Sequence, residues 1–229
     1  MLVPTTRASR TATLLAGLFL LLLVPVAAGW GPLESADREI SRSLHRWAVA
    51  HDGWTEANRV LTDRVWDPMT MRALLAVAVC WLAWRREWRL AFWVVLTSAL
   101  GTVLQWTVKA TVRRERPRWP DPVDSGNYFA FPSGHAVTAT VSCGLVLWLL
   151  ARHGVRTRWL APAAAVATVS VLGVGFTRVY LGVHWTSDVL GGWLLGAALV
   201  AAAVATYEPA RTRGAGRDND HVRDGRVPS

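Results

Sequence analysis

The apolar positions of this chain fall into long runs with few or no charges instead of the one-sided stripes of a soluble helix. Residues 12–30 contain no charged side chain, and further apolar runs follow at 69–84, 90–108, 135–151, 159–177 and 188–207. A helix rises 1.5 Å per residue, so about 20 apolar residues cross the roughly 30 Å hydrocarbon layer of a bilayer. The pattern predicts an all-α, polytopic transmembrane bundle with about six spans. Its limits divide the chain into an N-terminal tail at 1–11, a membrane domain at 12–207 and a tail at 208–229 that lacks apolar periodicity and is expected to be disordered. The first run, with Arg7 and Arg10 before it and Val26-Ala27-Ala28 near its end, also resembles a signal peptide, and cleavage there would leave the later topology unchanged. Between the first two spans, residues 31–67 mix charge with amphipathic stretches such as 44–60, which predicts a helix lying along the membrane surface.

Charge adds an orientation to this pattern. Arg85, Arg86 and Arg89 separate the second span from the third, and Arg152, Arg156 and Arg158 separate the fourth from the fifth. If the spans alternate, these basic turns share a side with both termini, and the positive-inside rule makes that side cytoplasmic. The raw count of Lys and Arg is nearly even between the sides, so the rule is weak taken alone. On the other side, acids such as Glu34, Asp37 and Asp63 balance the first loop, and the remaining basic residues belong to a cluster described below. Trp30, Trp84, Trp88, Trp159 and Trp185 near span ends fit an interfacial belt.

The composition supports the membrane reading and excludes its main rival. With 52% hydrophobic residues and 14 tryptophans in 229 residues, the chain exceeds an ordinary soluble domain. A net charge of +9 would suit nucleic acid, but the cations sit in short clusters between apolar runs and form no stripe, so no nucleic-acid partner is expected. Cys80 and Cys143 both fall inside apolar runs, without the spacing of metal ligands.

Alternation brings four span ends to one face, near Lys109, His135, Arg178 and Asp188. Ionisable groups beside apolar spans cost free energy, which makes each a functional hypothesis by default. Lys109, Arg116 and Arg178 offer a point charge and two planar forks suited to phosphate oxygens. In Phe131-Pro132-Ser133-Gly134-His135, Ser133 can cap a helix, Gly134 lets a ligand approach the backbone, and the helix N-terminus favours an anion. His184 and Asp188 stand four apart, so the carboxylate can hold one imidazole nitrogen and leave the other for substrate. Arg113, Arg114 and Arg118 would suit the second phosphate of a diphosphate or else face solvent. Two histidines and an aspartate can bind a metal or carry out phosphoryl transfer to histidine. At least three fixed cations nearby repel a divalent ion and stabilise a phosphoryl group, so neither metal nor cofactor is expected.

Lys109 followed by Arg116-Pro117, then Pro132-Ser133-Gly134-His135, then Arg178 with His184 and Asp188, resembles the three-part signature of the type 2 phosphatidic acid phosphatase and haloperoxidase superfamily. Thr177 stands where that pattern commonly has serine, and it retains the hydroxyl. The resemblance implies that His184 is the nucleophile, that Asp188 orients it and that His135 protonates the leaving group. It also implies that Lys109, Arg116, Ser133, Gly134 and Arg178 hold the phosphoryl oxygens. The implied activity is hydrolysis of a membrane lipid phosphate or polyprenyl diphosphate through a phosphohistidine at the non-cytoplasmic face. A vanadate-dependent haloperoxidase shares these residues but is soluble in the family, against six spans here, and a non-catalytic anion-binding membrane protein is the third alternative.

Overall fold

The computed structural model describes residues 5–223, with side chains from Arg7 to Tyr207. It is built of helices: α1 (Thr5–Ala27), α2 (Gly31–Ala50), α3 (Asp52–Val60), a π-helical turn (Leu61–Val65), α4 (Pro68–Trp84), α5 (Trp88–Val112), α6 (Gly134–Arg152), α7 (Thr157–Tyr180) and α8 (Thr186–Arg223). Six of the described segments are long and apolar enough to cross a membrane, one each at the six apolar runs of the sequence. Their outward faces carry Leu21, Val24, Val77, Phe92, Val103, Val166 and Val169, as lipid-facing helices should. The tail at 208–229, expected to be disordered, lies beyond the described side chains, and its backbone continues α8 as far as Arg223.

Local chemistry sets the helix ends. Asp67 caps α4, accepting from the backbone N–H of Met69 at 2.7 Å, with Pro68 at the first helical position. Arg113 ends α5 in the left-handed conformation (φ 53°, ψ 32°), so the chain turns away one residue after the helix. On the opposite face, His153 lies 3.2 Å from Glu87 and ties together the two basic turns of the sequence reading.

α6 is the central helix, packed against α4, α5, α7 and α8, while α1 runs along α8. Gly192 and Gly196, four apart on α8, face α6 so closely that side chains have no room: a β-carbon at Gly192 would lie 2.8 Å from the Ser133 carbonyl oxygen. Small residues at this spacing allow close helix approach where no hydrophobic effect drives association.

The segment after the first span is helical, as expected, but breaks at His51 into α2 and α3. Its amphipathicity faces the other way from that of a soluble helix. The buried stripe of α2 is Asp37, Ser41, His45 and Ala48, whereas Ile40 and Trp47 are exposed. Packed on α7 and α8, α2 turns its polar stripe toward the ends of those helices.

Candidate active site

Lys109, Arg116, Ser133, Gly134, His135, Arg178, His184 and Asp188 converge where α5 and α7 end and α6 and α8 begin. Lys109 Nζ donates to the carbonyls of Phe129 (2.6 Å) and Ala130 (3.2 Å). The Arg116 guanidinium donates to the carbonyls of Tyr128 (2.9 Å), Asn127 (2.9 Å) and Val183 (2.6 Å). Two cations thus hold the backbone of 127–130, which leads into α6. Ser133 caps α6 and accepts from the Ala136 N–H at 3.5 Å. The first-turn amides have no partner within the helix and favour an anion. His135, on that first turn, lies in the field of Arg178, His184, Arg116 and Lys109.

Arg178 is buried in the last turn of α7, with one terminal nitrogen 3.6 Å from Asp124 and 3.4 Å from the Thr62 hydroxyl. Its Nε is buried without a hydrogen-bond partner. Leaving such a donor unmatched costs about 1–3 kcal/mol. The oxygen of a bound anion would satisfy it.

The turn from α7 to α8 needs glycine at 182, where φ is +69° and a β-carbon would lie 2.4 Å from Trp119 Nε1. Trp119 Nε1 donates to the Gly182 carbonyl at 2.9 Å, and His45 of α2 stacks on the indole with ring centroids 4.3 Å apart. Two residues further on, His184 is buried at 1% exposure. Its Nδ1 lies 3.2 Å from Asp188 Oδ2 and its Nε2 3.0 Å from an Arg116 terminal nitrogen. A guanidinium has only donors, so Nε2 accepts, and Nδ1 keeps the proton and donates a hydrogen bond to Asp188 Oδ2. Asp188 Oδ2 also accepts from the Trp185 N–H at 2.9 Å, capping its own helix from the third position.

Electrostatics complete the arrangement. Burial, reinforced by Arg116, Lys109, Arg178 and Arg114, holds the His184 imidazole well below the ordinary histidine range. The ring is therefore neutral near pH 7, with its lone pair on Nε2 among cations. Burial and Arg178 push Arg116 down to about 10, which leaves it charged at neutral pH. A neutral imidazole ringed by cations is suited to chemistry at an anionic phosphorus centre, and the same cations repel a divalent metal.

A family model described as the PAP2 superfamily matches residues 86–212, the stretch that contains Lys109, Arg116, Ser133, Gly134, His135, Arg178, His184 and Asp188. The chain belongs to the PAP2 superfamily. Phosphatidylglycerophosphatase B of Bacillus subtilis is 28% identical over 182 residues, covering 78% of this chain and 87% of that protein. An undecaprenyl-diphosphatase of Sulfolobus acidocaldarius is 32% identical over 143 residues, covering 58% of this chain and 59% of the relative. Among solved structures, the first transmembrane PAP2 type phosphatidylglycerolphosphate phosphatase from Bacillus subtilis superposes with a TM-score of 0.76 at 26% identity, covering 87% of this chain and 96% of that one. This PAP2 protein is accordingly a multi-pass membrane protein of a phosphatase family.

The three extra arginines of the sequence separate in the structure. Arg113 and Arg118 are exposed, Arg118 beside Glu115 at 3.3 Å. Arg114 neither faces solvent nor waits for a second phosphate. It donates to Asp188 Oδ1 (2.7 Å), Asp37 Oδ2 (2.7 Å) and the Ser187 hydroxyl (2.6 Å). Burial works to lower its pKa, but Asp188 and Asp37 raise it on balance. Sequence reasoning missed Asp37, Ser187, Asp124 and Thr62 as partners of the site. For Asp37 a signal existed: Asp37, Ser41 and His45 repeat at i, i+4, i+8, a polar stripe on a helix whose apolar residues point elsewhere.

Proposed function

We propose that the protein hydrolyses a lipid-borne phosphate or diphosphate through a phosphohistidine on His184, at the non-cytoplasmic face of the membrane. The observation that carries this reading is the His184 ring, proton-bound to Asp188 through Nδ1 while Nε2 points at Arg116 within a group of cations. In this reading Arg116, Lys109, Arg178, Ser133 and the Gly134 backbone hold the non-bridging oxygens and place phosphorus beside Nε2. The Nε2 lone pair forms the P–N bond, the P–O bond to the lipid breaks, and His135 gives its proton to the departing oxygen. Positive charge growing on the ring is balanced by Asp188. Water then attacks phosphorus with His135 as base, the P–N bond breaks, and inorganic phosphate leaves. The relatives named as phosphatidylglycerophosphatase and undecaprenyl-diphosphatase support a lipid substrate. Lys109 and Arg178 end their helices at the boundary of the apolar spans, which suits a headgroup whose tail remains in the bilayer.

The test is phosphate release by the purified protein from a panel comprising phosphatidylglycerophosphate, phosphatidic acid and a polyprenyl diphosphate, alongside His184→Asn. Turnover of at least one lipid by the wild type and none by His184→Asn is expected. Wild-type rates in a folded His184→Asn protein would remove the ring from the mechanism.

A further inference from the structure

The carboxylate of Asp37 is almost fully buried at 3% exposure, yet it comes from α2, outside the stretch that the family model matches. Its Oδ1 accepts from the Ser187 N–H at 2.9 Å, and its Oδ2 accepts from the Ser187 hydroxyl at 2.5 Å and from Arg114 at 2.7 Å. Ser187 lies in the first turn of α8, where the backbone N–H has no acceptor within the helix. Asp37 supplies that acceptor from another helix. Through Arg114 the contacts continue to Asp188 Oδ1, and through Asp188 Oδ2 to His184 Nδ1. A line of ionic hydrogen bonds therefore runs from α2 to the ring, joining residues 150 positions apart at its Ser187 contact.

The charges along this line alternate. Behind His184 stand Asp188, Arg114 and Asp37, and together they carry one net negative charge. If Asp37 were neutral, Asp188 and Arg114 would cancel, and the imidazole would become cationic during P–N bond formation without a counter-charge. In a site this buried such a difference is poorly screened. We infer that Asp37 is a positioning residue for the reaction: by offsetting Arg114 it leaves Asp188 its full pull on the Nδ1 proton of His184, and it fixes the α8 turn that carries both. This inference rests on the functional reading above for its kinetic consequences, but its structural consequence at the ring is independent of turnover.

Asp37→Asn keeps the side-chain shape and an acceptor for Ser187 while removing the charge. Measured on the full chain in detergent or nanodiscs, it should lower kcat by about 10- to 100-fold, the range typical when an outer hydrogen-bond partner of a functional histidine is lost. KM should stay unchanged, because Asp37 touches no substrate oxygen. Asp37→Asn with Arg114→Gln removes both charges, leaves Asp188 as the single counter-charge, and should recover part of the kcat lost by Asp37→Asn alone. Such non-additivity is the mark of residues acting through one another. A folded Asp37→Asn protein with wild-type kcat overturns the inference, as does a loss carried by KM, or a double variant no faster than the single one. If Asp37→Asn does not fold, the double variant carries the test: it should fold and lose less than about 100-fold in kcat, the upper end of the range for the single variant, and a folded double variant that loses more overturns the inference. If the wild type turns over no lipid, the functional reading fails, and the inference is decided by the ring ¹⁵N shifts of His184. Asp37→Asn should move the proton population from Nδ1 toward Nε2, and an unchanged tautomer would refute the role assigned to Asp37.

Discussion

Replacing Gly192 by alanine tests whether catalysis depends on how closely α8 approaches α6. The new β-carbon would lie 2.7 Å from the Ala136 β-carbon, 2.8 Å from the Ser133 carbonyl oxygen and 3.2 Å from the Val137 nitrogen. Carbon atoms pack comfortably at about 3.5–4.0 Å, so the first turn of α6 must retreat by roughly 0.7–1 Å. None of the three atoms is the end of a flexible side chain, so the shift falls on the helix itself. That turn carries Ser133, Gly134 and His135, and the Ser133 N–H donates across the seam to the Asp188 carbonyl at 2.9 Å. Overpacking of this kind costs about 1–3 kcal/mol in stability, and a misplacement near 1 Å can lower a rate about 10²-fold. Gly192→Ala is therefore expected to lose about 10² in kcat, measured as the initial rate of lipid phosphate release. Gly196→Ala is the matched control. Its β-carbon would meet Thr140 at 2.8 Å and the Val137 carbonyl at 3.1 Å, one turn further from the site. It should lower the melting temperature similarly and kcat much less. Gly17→Ala, with nothing within 4 Å, should change neither. Wild-type activity in Gly192→Ala, or an equal kcat loss in Gly196→Ala, would refute the argument that this seam sets the catalytic geometry.

Three further outcomes follow from the proposed mechanism. With an activated aryl phosphate, His135→Ala should recover much of the wild-type burst of aryl alcohol, against a loss of about 10²–10⁴ on lipid substrates, because a stable leaving group needs no proton; an equal loss on both would make His135 a binding group. Activity should survive exhaustive chelation with EDTA, whereas loss with rescue by a divalent ion would overturn the charge argument. In intact cells, Ser125→Cys should react with an impermeant thiol reagent and Arg156→Cys should not, and the reverse pattern would put the site in the cytoplasm.

Much of this was legible in the sequence because the governing rules are local. Six long apolar runs point to six spans, and alternation alone carries Lys109, His135, Arg178 and Asp188 to one face. The spacing of His184 and Asp188 already implied their contact, which the structure shows at 3.2 Å. Arg114 was not legible. It differs from Arg113 only by one position, and its burial depends on two carboxylates, 77 residues before it and 74 after it. The break at His51 was equally obscure, since the residues from 44 to 60 have continuous helical periodicity and the bend serves the packing of α2 on α7 and α8. Gly192 and Gly196 could have been read as a close-packing pair, but their partner helix could not.

The backbone carbonyls of 127–130 impose a limit on what the cations can still donate. Lys109 has three N–H groups and spends two on Phe129 and Ala130, leaving one. Arg116 has five and spends four, on Tyr128, Asn127, Val183 and His184. Most of what a phosphate would find unpaired therefore comes from Arg178, through Nε and its second terminal nitrogen, and from the α6 amides. Lys109 and Arg116 are thereby limited in what they give the ground state, and in the proposed mechanism the donor to His184 is freed only when Nε2 turns to phosphorus. Inorganic phosphate should consequently be a weak product inhibitor, while vanadate, five-coordinate on Nε2, should bind at least about 10²-fold more tightly. Equal inhibition constants for the two anions would show that the loop does not ration the donors, and product would then clog the site that releases it.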